Sequence, residues 1–148
     1  REIYPNSFFI YVSTTAWNMS YYIKRFLVAN NLPFGPCVLR DWGPEEDRAF
    51  TSGKQHKTES IKSLFRRYPE SKWILIGDNG QHDPEIYGDL FQAYQKKIQR
   101  IIIREFTNKP RSKKLLVSKE RTQAQVIYGF DGYALSNSFL NDFNNLLK

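Results

Sequence analysis

The chain has 148 residues, 41% hydrophobic and 16% aromatic, which is enough to bury the core of one domain and predicts a folded globule rather than a disordered chain. Lysine and arginine number 22 against 15 acidic residues, a net charge of +7 that favours phosphates, anionic lipid surfaces or nucleic acid as partners. No apolar run approaches the ~18 residues of a membrane span, and no stretch reads as a signal peptide. The single cysteine, Cys37, excludes an internal disulfide and fits a reducing, cytoplasmic compartment. The chain opens on Arg1 and already reads as strand by Phe8, so a piece of a longer protein is expected.

In chain order, Phe8–Val12 is an apolar, aromatic strand that stops at Ser13-Thr14-Thr15. A helix is expected from about Trp17 to Asn30, with Met19, Tyr22, Ile23, Phe26, Leu27 and Asn30 at core-facing spacing. Pro33, Gly35 and Pro36 form a turn. A short strand, Cys37–Leu39, is closed by Arg40-Asp41-Trp42-Gly43, and Glu45–Gln55 reads as a polar loop. Lys57 opens a helix whose Ile61, Leu64, Phe65 and Tyr68 face the core; Pro69 ends it.

Trp73–Ile76 then reads as a buried central strand, ending at Gly77-Asp78. Asp83 suits the N-cap and Pro84 the first turn of the next helix, with Ile86, Leu90, Phe91 and Tyr94 on one face. That helix runs to about Gln99 and is followed by a strand, Ile101–Ile103. A basic stretch comes next, then a strand over Gln125–Phe130. Leu135, Phe139, Phe143, Leu146 and Leu147 mark a closing amphipathic helix. Alternating strands and helices without repeat or linker predict one α/β domain, residues 1–148, with a mainly parallel sheet. Trp17, Trp42 and Trp73 are assigned to the core rather than to a lipid-facing surface.

Chemistry concentrates at the strand ends. Asp78 and Asp83 flank one loop at the carboxyl end of a strand, where open α/β sheets bind ligands. As hard oxygen ligands they suit Mg²⁺, which keeps several waters and shares a substrate phosphate; a turn and a helix cap are the alternative uses. The Ser13 hydroxyl and the backbone N–H groups from Thr14 onward suit phosphate oxygens. Lys57, set against the helix macrodipole, is explained by an anion to neutralise or is an ordinary surface lysine. Arg40 and Asp41 stand where they meet substrate or order the Asp78 loop, or form a surface ion pair. Lys109, Arg111, Lys113, Lys114, Lys119 and Arg121 make either a contact with an anionic membrane or a solvated face. Without interleaved aromatics that run does not point to nucleic acid, and His56 with His82 lacks a matching ligand set for zinc.

Several segments, Phe9–Trp17 (FIYVSTTAW), Leu39–Gly43 (LRDWG), His56-Lys57 and above all Ile76–Tyr87 (IGDNGQHDPEIY), resemble the catalytic domain of the actin-patch type phosphatidate phosphatases. These belong to the haloacid dehalogenase-like superfamily, and the resemblance runs from about Phe8 to Arg104. It implies a Rossmann-like sheet flanked by helices and Mg²⁺-dependent hydrolysis of phosphatidate through a phosphoaspartyl intermediate. By the same resemblance Ser13 and Lys57 are catalytic and Asp78 and Asp83 hold Mg²⁺, and Thr14 and Arg40, from their places at strand ends, are assigned to substrate binding. The family's first motif, an Asp-x-Asp on a central strand, is missing from this chain. The chain is therefore expected to be truncated at its N-terminus and inactive alone, or else to be a lipid-binding module without turnover.

Overall fold

A computed structural model describes residues 4–41, 52–106 and 125–146. Within each of two sheets the strands are parallel, and helices alternate with strands along most of the described residues, an α/β architecture. The chain divides into two compact units, Arg1–Leu64 and Phe65–Lys148, which are described in turn. Trp42 and the basic run from Lys109 to Arg121 lie outside the described residues.

The first unit holds β1 (Tyr11–Ala16), a 3-10 turn (Trp17–Met19), α1 (Ser20–Ala29), β2 (Cys37–Arg40) and the start of α2 (Gly53–Arg67). β1 pairs with β2 from Tyr11↔Cys37 to Ala16↔Arg40. The strand expected at Phe8–Val12 thus begins later and runs through Ser13 and Thr14. Its partner decides this: Pro33 and Pro36 lack the N–H a ladder needs, so pairing starts where the Tyr11 N–H donates to the Pro36 carbonyl at 2.9 Å.

The helix from Trp17 forms as expected, but its predicted core face does not bury. Of α1 only Leu27 is buried, while Trp17, Met19, Tyr22 and Phe26 are exposed. A two-stranded pair is too narrow to cover an aromatic face of that width. Trp17 is accordingly not a core residue.

α2 begins at Gly53, a turn before the expected start at Lys57. The Ser52 hydroxyl accepts the Gln55 N–H at 3.1 Å, the N-cap bond that a helix start favours.

The second unit contains β3 (Trp73–Asp78), α3 (Asp83–Ala93), β4 (Ile98–Arg104), β5 (Gln125–Gly129) and α4 (Gly132–Leu146). The sheet order is β3-β4-β5, all parallel. β4, paired on both sides, carries Ile101 and Ile103 at 0% exposure, whereas Ile76 of β3 is 58% exposed. The buried central strand among the described residues is therefore β4, not β3. Ile86, Leu90 and Phe91 of α3 are buried as their spacing predicts, and Tyr87 joins them. Phe65 is also buried, with its ring 5.4 Å from Trp73 and 5.3 Å from Tyr94.

Candidate functional site

In the second unit the apolar strand β3 delivers Asp78 as its last residue. The chain then turns over Asn79–His82 into α3, with Pro84 in the first helical turn, where its missing N–H costs nothing. Asp78 Oδ1 accepts the Gly80 N–H at 2.7 Å, closing a local Asx-type turn. Asp83 is the first helical residue rather than the N-cap, a position taken by His82, which makes no side-chain capping bond. The Asp83 carboxylate instead points back at the strand, where its Oδ2 faces the Asp78 N–H at 3.4 Å.

Gly77 makes that approach possible. A Cβ there would lie 2.9 Å from Asp83 Cβ and Cγ and closer still to Oδ2. The glycine is required by the proximity of a side chain, not by its backbone angles, since no described glycine has positive φ.

Two further groups brace this turn, and the sequence reading assigned neither. The Asn79 N–H donates to the Arg104 carbonyl at 3.0 Å, and Asn79 Oδ1 accepts the Phe106 N–H at 2.7 Å. The turn is thereby tied to the end of β4. From α3, the Tyr87 hydroxyl donates to the Ile76 carbonyl at 2.9 Å. Burial first, then the charges of Asp83 and Asp78, push the Tyr87 pKa far above the ordinary tyrosine range, so this donor stays protonated. Asn79 reads only as a turn residue and Tyr87 only as part of a motif string; what each binds depends on the β3–β4 register and the seating of α3.

Asp78 and Asp83, two carboxylates at the end of a parallel strand, are the residues that could hold a cation of the Mg²⁺ kind. Such an ion needs only one or two protein carboxylates, the remaining positions going to water and substrate phosphate.

The first unit gathers the other candidates. The Ser13 hydroxyl donates to Thr15 Oγ1 at 2.9 Å and accepts the Thr15 N–H at 3.1 Å. Ser13 therefore sits in β1 with its side chain on the Thr15 side, rather than in a loop beyond the strand. Thr14 packs on the helix start, since a Cβ at Gly53 would meet its Cγ2 at 3.0 Å.

His56 links these elements. Its imidazole is hydrogen-bonded to the Ser13 backbone and lies near Arg40, while Nε2 is buried without a hydrogen-bond partner. Burial first, and the Arg40 charge with it, lower the His56 pKa against the opposing Ser13 bond. Arg40, expected just beyond a strand, is the last residue of β2 and 8% exposed. Lys57 lies in the second turn of α2, next to His56 and partly buried. Ser13, Thr14, Arg40 and Lys57 thus belong to one unit, with Asp78 and Asp83 in the other.

Parallel strands ending in an acidic, braced turn define an α/β protein of the class that binds ligands at the carboxyl ends of its strands. Residues 1–105 match the family model of the phosphatidate phosphatase APP1 catalytic domain, and the chain belongs to that family. It is 32% identical over 101 residues to phosphatidate phosphatase APP1 of Saccharomyces cerevisiae, covering 68% of this chain and 17% of that protein. It is also 26% identical over 96 residues to an uncharacterized protein of Schizosaccharomyces pombe, covering 64% of this chain and 16% of that protein. The chain thus matches only about a sixth of the length of these relatives. No solved structure matches it.

Proposed function

We propose that the protein is a Mg²⁺-dependent phosphatase that hydrolyses phosphatidate, or a related lipid phosphomonoester, to diacylglycerol and phosphate. The observation that carries this reading is the Asp83 carboxylate folded back over Gly77 beside Asp78, in a chain of a phosphatidate phosphatase family. Asp78 and Asp83 would hold the metal, which supplies positive charge to the phosphoryl oxygens when bound. By the family resemblance, and not by their placement, Ser13 and Thr14 would bind phosphoryl oxygens through hydroxyl and backbone N–H, and Lys57 and Arg40 would add positive charge.

The fold proposed is haloacid dehalogenase-like. Its nucleophile would be the first aspartate of an Asp-x-Asp strand, and the second would protonate the leaving alkoxide and then activate water. No Asp-x-Asp occurs in the 148 residues, so these residues alone are proposed to be inactive. The setting would be cytoplasmic and peripheral to anionic membranes, without a nucleic-acid partner.

Phosphate release from phosphatidate in mixed micelles, over a Mg²⁺ titration, tests the reading. The full-length gene product should turn over. Its Asp78→Asn variant should lose at least about a hundredfold, as expected when transition-state charge loses its counter-charge, with circular dichroism unchanged. The 148-residue chain should release nothing. Turnover by that chain would refute the phosphoaspartyl mechanism, and an unchanged metal dependence in Asp78→Asn would refute the metal site. The missing Asp-x-Asp favours a second reading, a phosphatidate-binding module without turnover. A full-length gene product that binds phosphatidate vesicles and releases no phosphate would establish it.

A further inference from the structure

Asp78 and Arg104 are register partners at the ends of β3 and β4, which places their backbones about 4.8 Å apart. Opposite charges so placed have every opportunity to pair, and an arginine is long enough to do it. They do not. Neither residue takes part in the ion pairs Lys62–Glu59 and His82–Glu85. Asp78 turns an oxygen to the Gly80 N–H.

The Arg104 guanidinium lies over the Phe106 ring, 4.8 Å from its centroid. That ring is itself held. The Phe106 N–H is bound by the buried Asn79, and the ring edge lies against Gly80, where an added Cβ would come within 3.1 Å of Cε2. The positive charge is therefore parked beside the acidic turn by the same asparagine that braces it.

Stacking uses the face of a guanidinium and leaves the N–H edges available. Those edges match two phosphate oxygens at once. A dianionic ester approaching Asp78 and Asp83 meets two negative charges, and a cation next to them offsets part of that repulsion. An arginine paired with Asp78 would serve the fold alone. One held away from it, exposed and oriented, serves a ligand. We propose that Arg104 is a substrate-binding residue whose guanidinium takes oxygens of the phosphomonoester bound at the Asp78–Asp83 turn; this rests on the phosphate-ester reading above for the identity of the ligand.

The test uses the full-length gene product with Arg104→Gln, Arg104→Lys and Phe106→Leu. The probes are phosphatidate in mixed micelles and inorganic phosphate as a competitive inhibitor. Losing a charge-assisted hydrogen bond at an exposed site should raise KM for phosphatidate roughly tenfold. The inhibition constant of phosphate should rise by a similar factor, with kcat within about twofold. Lysine should restore part of the loss, because it keeps the charge without the fork, and Phe106→Leu should fall between wild type and Arg104→Gln. A merely structural arginine would instead lower the melting temperature and leave KM and phosphate inhibition alone, which would overturn the proposal. A wild-type protein that releases no phosphate would overturn the hydrolase reading but not this one. Sedimentation with phosphatidate/phosphatidylcholine vesicles then decides: weaker binding by Arg104→Gln supports the proposal, and equal binding overturns it.

Discussion

Replacing Gly77 with alanine perturbs one contact and asks whether the Asp83 carboxylate is where the chemistry needs it. The new methyl group would stand 2.9 Å from Asp83 Cβ and Cγ, against 3.4–4 Å for an ordinary contact. The carboxylate must therefore retreat by at least about half an ångström. It has little room, because Asp83 is 7% exposed and sits on the first turn of a helix whose Ile86, Leu90 and Phe91 are buried. Overpacking of this kind costs about 1–3 kcal/mol, several degrees in melting temperature for a domain of this size. A displacement approaching 1 Å at a reacting group costs on the order of a hundredfold in rate, so a tenfold to hundredfold loss of turnover is expected. The assay is thermal unfolding and a Mg²⁺ titration of phosphate release on the full-length gene product. The double variant Gly77→Ala/Asp83→Gly should recover part of the stability lost by Gly77→Ala, since Cβ, Cγ and Oδ2 of residue 83 are all gone, and should recover none of the activity. A Gly77→Ala protein with unchanged melting and unchanged Mg²⁺ dependence would refute the reasoning.

Asn79→Ala removes the acceptor of a buried turn and leaves the Phe106 N–H unsatisfied; a loss of about 1–3 kcal/mol is expected, read from urea unfolding, with weaker Mg²⁺ binding by calorimetry. For His56, the folded pKa lies below the ordinary value of 6.5. The unfolded chain therefore binds the proton more readily, and the stability contributed at neutral pH is lost as pH falls from 6.5 through the folded value. Melting temperatures measured from pH 7.5 to 5 should fall less in His56→Gln than in wild type; equal slopes would show that the imidazole is not held neutral.

Some of this protein was legible without coordinates. The alternation of apolar runs and helical spacing determined the α/β class, because strand and helix periods are local properties. The Gly-Asp ending of an apolar run and the Asp-Pro start of a helix located the acidic turn, because turn and first-turn chemistry need only a few neighbouring residues. Everything that depended on a partner far along the chain waited for tertiary structure. Where β1 begins was decided by the prolines before β2, and where α2 begins was decided by the Ser52 cap. Spacing identified an apolar side of α1, but burial follows the surface available to cover it, so Tyr22 and Phe26 remain exposed. Asn79, Phe106 and Arg104 acquire their roles only when β4 lies in register beside β3, because pairing sets which strand ends become neighbours. Sequence periodicity cannot specify that register in advance.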